Sequence, residues 1–192
     1  MATAPTSRRY TAEDLETMPD GDRYEIIEGE LQERIMSYLS SLIASTIVGL
    51  LREWAKSSGK RGWITGSDGG FKIFPWAPGD VRMPDVSYVS VERARSLPAR
   101  GWMDVPPDLA VEVVSPTDSA SIVQLKAHDY IRAGVALVWV VFPESRTVEV
   151  RRAGSSSIEV LGEEDTLSGG EVLPGFSVAV AELFPAEEEL QG

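Results

Sequence analysis

Pro107-Asp-Leu-Ala-Val-Glu-Val-Val-Ser-Pro-Thr-Asp118 sets the architecture of this chain. Its centre, Leu109–Ser115, is rich in valine and bounded by Pro107 and Pro116, which predicts an extended segment. Glu112 stands inside it with Val111 and Val113 on either side. Successive strand side chains alternate faces, so Glu112 points away from those two valines. A carboxylate buried there without a partner costs several kcal/mol, so a partner is expected. Thr117 or Asp118 can cap a following helix that runs to about Ala133 and is ended by Gly134. Ala136–Phe142 then reads as a strand buried on both faces.

On that helix Val123, Ala127 and Tyr130 recur at helical spacing, and Lys126 falls on the same stripe. A lysine so placed either snorkels to water or reaches a carboxylate. The strand carrying Glu112 leads directly into this helix, which makes their packing natural. Upstream, Asp85 follows Met83-Pro84 and opens the strand Val86-Ser-Tyr-Val. Asp85, Glu112 and Lys126 therefore form one candidate cluster: two carboxylates for a divalent ion and one cation for developing negative charge. This is the equipment of metal-assisted phosphodiester hydrolysis. The competing interpretation is a buried Glu-Lys ion pair with Asp85 capping a strand, because structural ion pairs also bury charge.

Around this centre, Thr11 with Asp14 marks the start of a short helix that the Pro19–Asp22 cluster stops. Tyr24–Glu33 reads as two short strands around a turn at Glu28-Gly29. Ile43, Ile47, Leu50, Leu51 and Trp54 predict a long amphipathic helix from about Ser40 to Ser58, with Gly59 after its end. Extended segments are expected at Gly70–Phe74 and Val86–Val89. The long connection Glu92–Pro107 is of a kind that binds or moves. Arg146–Arg152 and Ser157–Leu161 form a closing hairpin, and Leu173-Pro-Gly-Phe leads to a last short element. The order predicts an α/β fold with a mixed sheet.

The chain has 192 residues, 43% of them apolar and 25% charged, which fits one globular domain. A core of about residues 10–184 is expected, with 1–9 and 185–192 flexible. Thirty acidic against 18 basic residues leave a formal charge of −12. This excludes a general nucleic-acid coat, whose affinity needs Lys and Arg, but leaves a local site open. The absence of cysteine and the lone His128 exclude thiolate and His-rich metal sites. Any metal must take oxygen ligands, which suit Mg²⁺, Ca²⁺ or Mn²⁺. The longest apolar run, Val135–Phe142, is far below the ~20 residues that span a bilayer, and Met1–Tyr10 has no signal-peptide pattern. A cytoplasmic location with no membrane partner is expected. His128 and Gln124 fall off the Lys126 stripe and should be solvated. Gly66-Ser-Asp-Gly-Gly lacks the Lys-Ser/Thr of a phosphate loop and reads as a turn, with Asp68 an outlying candidate near the metal. Arg93, Arg95 and Arg100 are expected to be solvated rather than on phosphates.

The run Arg82-Met-Pro-Asp-Val-Ser-Tyr-Val, then Pro107–Asp118, Lys126, Tyr130, Gly134-Val135 and Trp139-Val-Val, resembles the Uma-type restriction endonuclease family of the PD-(D/E)XK nuclease superfamily. Tyr24-Glu-Ile-Ile-Glu-Gly-Glu-Leu and Leu173-Pro-Gly-Phe extend the resemblance to about residues 10–184. It implies a restriction-endonuclease-like core of αβββαβ type, with N- and C-terminal β-hairpins. It further implies Asp85, Glu112 and the Val113 main-chain carbonyl as ligands of Mg²⁺ or Mn²⁺. The superfamily's usual lysine position is Val114 here; the Uma-type pattern supplies it from the next helix, at Lys126. Two positions depart from the pattern: Leu39 stands where Glu or His is common, and Phe142 where Asp or Asn is frequent. The implied activity is metal-dependent cleavage of DNA by a homodimer. The alternative is a degenerate, non-catalytic binding or oligomerisation module of the same fold. A glycosidase using paired carboxylates is disfavoured, since it needs neither lysine nor metal.

Overall fold

The computed structural model describes residues 8–189. The expected flexibility of the termini falls partly on 1–7 and 190–192, outside the described residues. Within them, Arg8 pairs with Asp14 at 2.8 Å. Helix α1 (Ala12–Thr17) carries the expected capping box between Thr11 and Asp14. Strands β1 (Tyr24–Ile27) and β2 (Glu30–Glu33) form an antiparallel hairpin. Its two turn residues, Glu28 and Gly29, have φ of 54° and 78°. Two positive φ angles match the twist of a tight hairpin, and glycine adopts one of them without penalty. Asp80 accepts from the amides of Glu28 (2.6 Å) and Gly29 (3.0 Å), tying the turn to the body.

Helix α2 (Tyr38–Ser58) is capped by Ser37 and ends at Gly59 with φ of 67°. A six-stranded sheet follows in the order β3-β4-β5-β6-β7-β8. Its members are β3 (Gly62–Thr65), β4 (Val86–Ser90), β5 (Leu109–Val113), β6 (Leu137–Phe142), β7 (Thr147–Arg152) and β8 (Ile158–Leu161). Only β5 and β6 pair in parallel, joined by the crossover helix α3 (Ala120–Arg132). The other neighbours are antiparallel, so the sheet is mixed as expected. Ile43, Ile47 and Leu51 of α2 pack on the face bearing Val111, Val113, Trp139 and Val141. Val123, Ala127 and Tyr130 of α3 cover the other face, bearing Ala110, Val138 and Val140. Strands buried on both faces account for the continuous apolar run at 137–141. A second small hairpin sheet, β9 (Thr166–Ser168) with β10 (Ser177–Ala179), closes the α2 side with Leu167, Leu173 and Phe176. Among the described residues no helix is long and apolar enough to cross a membrane.

Three expectations require correction. Gly70–Phe74 is not a strand; Phe71 alone bridges, to Arg82 and to Met103, because the chain here crosses between two neighbours. The strand lies instead at Gly62–Thr65, where Gly62 lets the backbone pass the Tyr88 ring at a position in which a Cβ would meet it at 2.4 Å. Asp118 and Thr117 do not cap α3: Ser119 occupies the N-cap position without a side-chain capping bond, and Asp118 accepts from the Ser115 amide at 2.7 Å to close the turn after β5. The expected closing hairpin at 147–161 is present and forms the outer part of the central sheet. The long 92–107 connection is anchored, with Arg93 paired to Asp108 at 3.0 Å and donating to the Gly134 carbonyl at 2.8 Å.

Candidate active site

The antiparallel register pairs Val86 with Val111, so Asp85, one residue before β4, lies across from Glu112. Val86 and Val111 both face the α2 core, which puts the flanking Asp85 and Glu112 on the α3 side. The two acids share one patch because both alternate out of the same core. Asp85 is 8% exposed and its Oδ2 accepts from the Val113 amide at 2.7 Å. Glu112 is 7% exposed. One of its oxygens accepts from Lys126 Nζ at 2.6 Å and the other from the Tyr130 hydroxyl at 2.8 Å. Lys126 and Tyr130 are four residues apart, so one face of α3 holds both oxygens of Glu112.

The structure thus brings together all three sequence-predicted side chains and adds three groups. Glu25 of β1 pairs with Lys126 at 2.9 Å, and its other oxygen accepts from the Met83 amide at 3.3 Å. Arg34 lies beside Asp85, donating to the Ser67 carbonyl and to Met83 Sδ. Tyr130 stood in the apolar stripe, but its hydroxyl serves Glu112. The signal for Glu25 was the one that singled out Glu112: an acid inside an apolar strand, Tyr24-Glu-Ile-Ile. Nothing local singles out Arg34, because its role depends on the hairpin's position over β4. His128 and Gln124 are exposed as expected, and Asp68 is an exposed turn residue away from the pocket lining. Leu39 packs against the core and does not line the carboxylate pocket.

Burial pushes Glu112 up, to about 8; the Lys126 ammonium opposes this and the charges of Asp85 and Glu25 add to it. Asp85 is also raised, chiefly by burial, against the pull of Lys126, the Val113 amide and Arg34. Burial disfavours charge on Lys126, but Glu112, Glu25 and Asp85 outweigh it and hold the ammonium above its ordinary value. Burial drives the Tyr130 hydroxyl well above its ordinary range, so it is a hydrogen-bond donor at any working pH.

Three carboxylates around one ammonium leave an excess of negative charge about an opening of about 60 Å³. On its outer side Asp85 also borders a cleft of about 500 Å³ whose lining includes Arg52. Hard oxygen donors with surplus negative charge fit a divalent cation, and Mg²⁺ takes one or two carboxylates and keeps waters or substrate oxygens for its other positions. The described residues contain no group of three or more His, Cys, Asp or Glu side chains arranged to hold a metal.

Comparison with known proteins bears on the fold and the family. A solved structure described as a putative nuclease belonging to DUF820, from Anabaena variabilis, matches with a TM-score of 0.76. The match covers 91% of this chain and 97% of that one at 19% identity, a likeness of fold. No curated protein matches the chain. The sequence profile of the Uma2 family, described as "Putative restriction endonuclease", matches residues 12–181. That span includes β1 with Glu25, the Asp85–Glu112 strand pair and the α3 face with Lys126, and the chain belongs to the Uma2 family.

Proposed function

We propose that the protein is a divalent-metal-dependent nuclease that hydrolyses phosphodiester bonds, with DNA as its substrate. The observation carrying this reading is the cross-strand pair Asp85–Glu112 on one face, with Lys126 bonded to Glu112 beside a small opening. Asp85, Glu112 and the Val113 main-chain carbonyl would hold Mg²⁺ or Mn²⁺. When bound, such an ion neutralises phosphate charge and lowers the pKa of a coordinated water. Lys126, held charged by its carboxylate neighbours, offsets the negative charge that develops on the phosphorus-bound oxygens. Tyr130 and Lys126 fix both Glu112 oxygens, so the carboxylate needs no reorientation during the reaction. Arg34 and Arg52 are the cations on the approach side of Asp85 and would orient the incoming backbone.

Plasmid and linear DNA incubated with Mg²⁺ or Mn²⁺ at low salt should be cut slowly, and an Asp85→Ala/Glu112→Ala double variant should not cut. Cleavage no greater than that control overturns the proposal. A homodimer belongs to the same reading and draws support from edge strand β8, where Ile158 and Val160 are 46% and 61% exposed. Light scattering should give twice the 20.9 kDa chain mass, and the monomer mass at micromolar concentration refutes it.

The second reading, a non-catalytic module of this fold, is favoured by one feature: Lys126 is engaged by two carboxylates and Glu112 has both oxygens occupied. On that reading the combined Glu25→Gln/Glu112→Gln/Lys126→Met variant folds as stably as the parent, and the parent shows no metal-dependent cleavage.

A further inference from the structure

Next to the carboxylate opening lies a pocket of opposite character. Its volume is about 420 Å³, and Ser115 and Asp118 line both. Leu39, Pro116, Phe142 and Pro143 give it apolar walls, and the charged side chains in its lining are two acids, Asp118 and Glu144. No lysine or arginine lines it. A phosphate is repelled by such a surface, and an aliphatic chain offers no donor to Glu144 or to the Asp118 oxygen that does not already serve the Ser115 amide. The chemistry suits a flat, uncharged body with apolar faces and N–H groups on its edge, the description of a nucleobase. Carboxylates accept well from exocyclic amino groups of bases.

A paired base has its edge engaged and its faces stacked, so it cannot enter a pocket of this kind without leaving the duplex. Just outside, Tyr38 is 88% exposed, between Ser37 and Leu39, which both line the pocket. Leu42, one turn further along α2, is 41% exposed, and Ile35 is 54% exposed. An aromatic ring left in water beside other apolar side chains is a stacking platform for a neighbouring base. The net charge of −12 opposes affinity drawn from phosphates, so binding at this pocket has to draw on base burial.

We infer that the site takes its strand with a nucleotide unpaired, the base seated between Leu39 and Phe142 and the next base stacked on Tyr38. The substrate class is therefore single-stranded or locally unpaired DNA. The placement of the phosphate at Asp85 and Glu112 rests on the nuclease reading; the base pocket does not.

The test is fluorescence anisotropy of the full chain in EDTA, where no metal supports cleavage, with a labelled single-stranded oligodeoxynucleotide and its duplex. Base stacking is worth ~1–3 kcal/mol per base, so the single strand should bind about tenfold or more tightly than the duplex. Ser145→Trp, which crowds the pocket from its exposed rim, and Tyr38→Ala, which removes the platform, should each weaken single-strand binding about tenfold. Both positions are on the surface, and an unchanged melting temperature verifies that the variants fold. Equal or tighter duplex binding, or unchanged affinity in both variants, overturns the inference. Strand-selective binding without cleavage in Mg²⁺ or Mn²⁺ upholds the base pocket and overturns the nuclease. Cleavage with no strand preference does the reverse.

Discussion

Lys126 is the residue on which the buried carboxylates of Glu25 and Glu112 depend. It is 8% exposed and bonds to Glu112 and Glu25, with Asp85 close enough to add to its charge stabilisation. Lys126→Met should therefore destabilise the chain by about 3–5 kcal/mol, because it strands buried carboxylates without a counter-charge. Urea denaturation in EDTA above pH 8, where Glu112 has lost its proton, measures this, and a loss below about 1 kcal/mol would show that the acids are solvated in the parent. Glu112 makes a second prediction. Its proton is held to about pH 8 in the folded chain, whereas the ordinary glutamate value is 4.5. Folding thus takes up a proton between those values, so stability is greatest at the acid end and falls as pH rises through about 8. In metal-free buffer the melting temperature should decline across that interval, and Glu112→Gln should flatten the decline. At this scale the sequence was informative wherever a charge interrupted an apolar pattern, as at Glu112 and Lys126. Arg34 gave no such signal because an arginine in a polar stretch looks the same whether solvated or beside Asp85.

At the level of elements, the site is assembled by three separate devices: the β4–β5 register, the α3 crossover and the β1–β2 hairpin. The first two were legible, since Pro84-Asp85 and Val-Glu-Val fix where strands start and which way each acid points. The hairpin was legible as a hairpin but not as a contributor, because its position depends on a distant contact. Asp80 makes that contact, receiving the Glu28 and Gly29 amides while 2% exposed. Asp80→Ala leaves the buried Gly29 amide and the part-buried Glu28 amide without their acceptor and should cost about 1–3 kcal/mol. It should also loosen Glu25 from Lys126, visible as faster hydrogen exchange in 24–33 than in β5. Equal exchange would mean that the hairpin is held by its apolar side alone. The missed strand at Gly62–Thr65 has a related cause: its pairing partner, β4, begins more than twenty residues later in the chain.

Taken whole, the molecule is a mixed sheet between α2 and α3, with both faces dry at the centre. Trp139, fully buried on the α2 face against Phe176, ties the sheet to the C-terminal segment. Trp139→Ala should cost about 3–5 kcal/mol in chemical denaturation, more than any exposed-residue substitution, and a smaller loss would mean that the C-terminal layer is not part of the cooperative core. The acidic surface also takes its meaning at this scale. With 30 acidic residues against 18 basic, the cations that border the site, Arg34, Arg52 and Lys126, all stand beside acids.

The sequence alone determined most of the helices and strands, though not the strand at Gly62–Thr65, together with the mixed α/β order and the three side chains that meet beside the opening, Asp85, Glu112 and Lys126. It could do so because periodicity is local, and a charge that breaks an apolar period reports its own need for a partner. Only the tertiary structure decided which partners those were. Glu25 joins Lys126 from just over a hundred positions away, Tyr130 turns from core residue to donor, and Leu39 with Phe142 walls a pocket beside the acids. Those relations are set by how elements pack across a sheet, and no local pattern encodes the distance between two faces that meet only when the chain is folded.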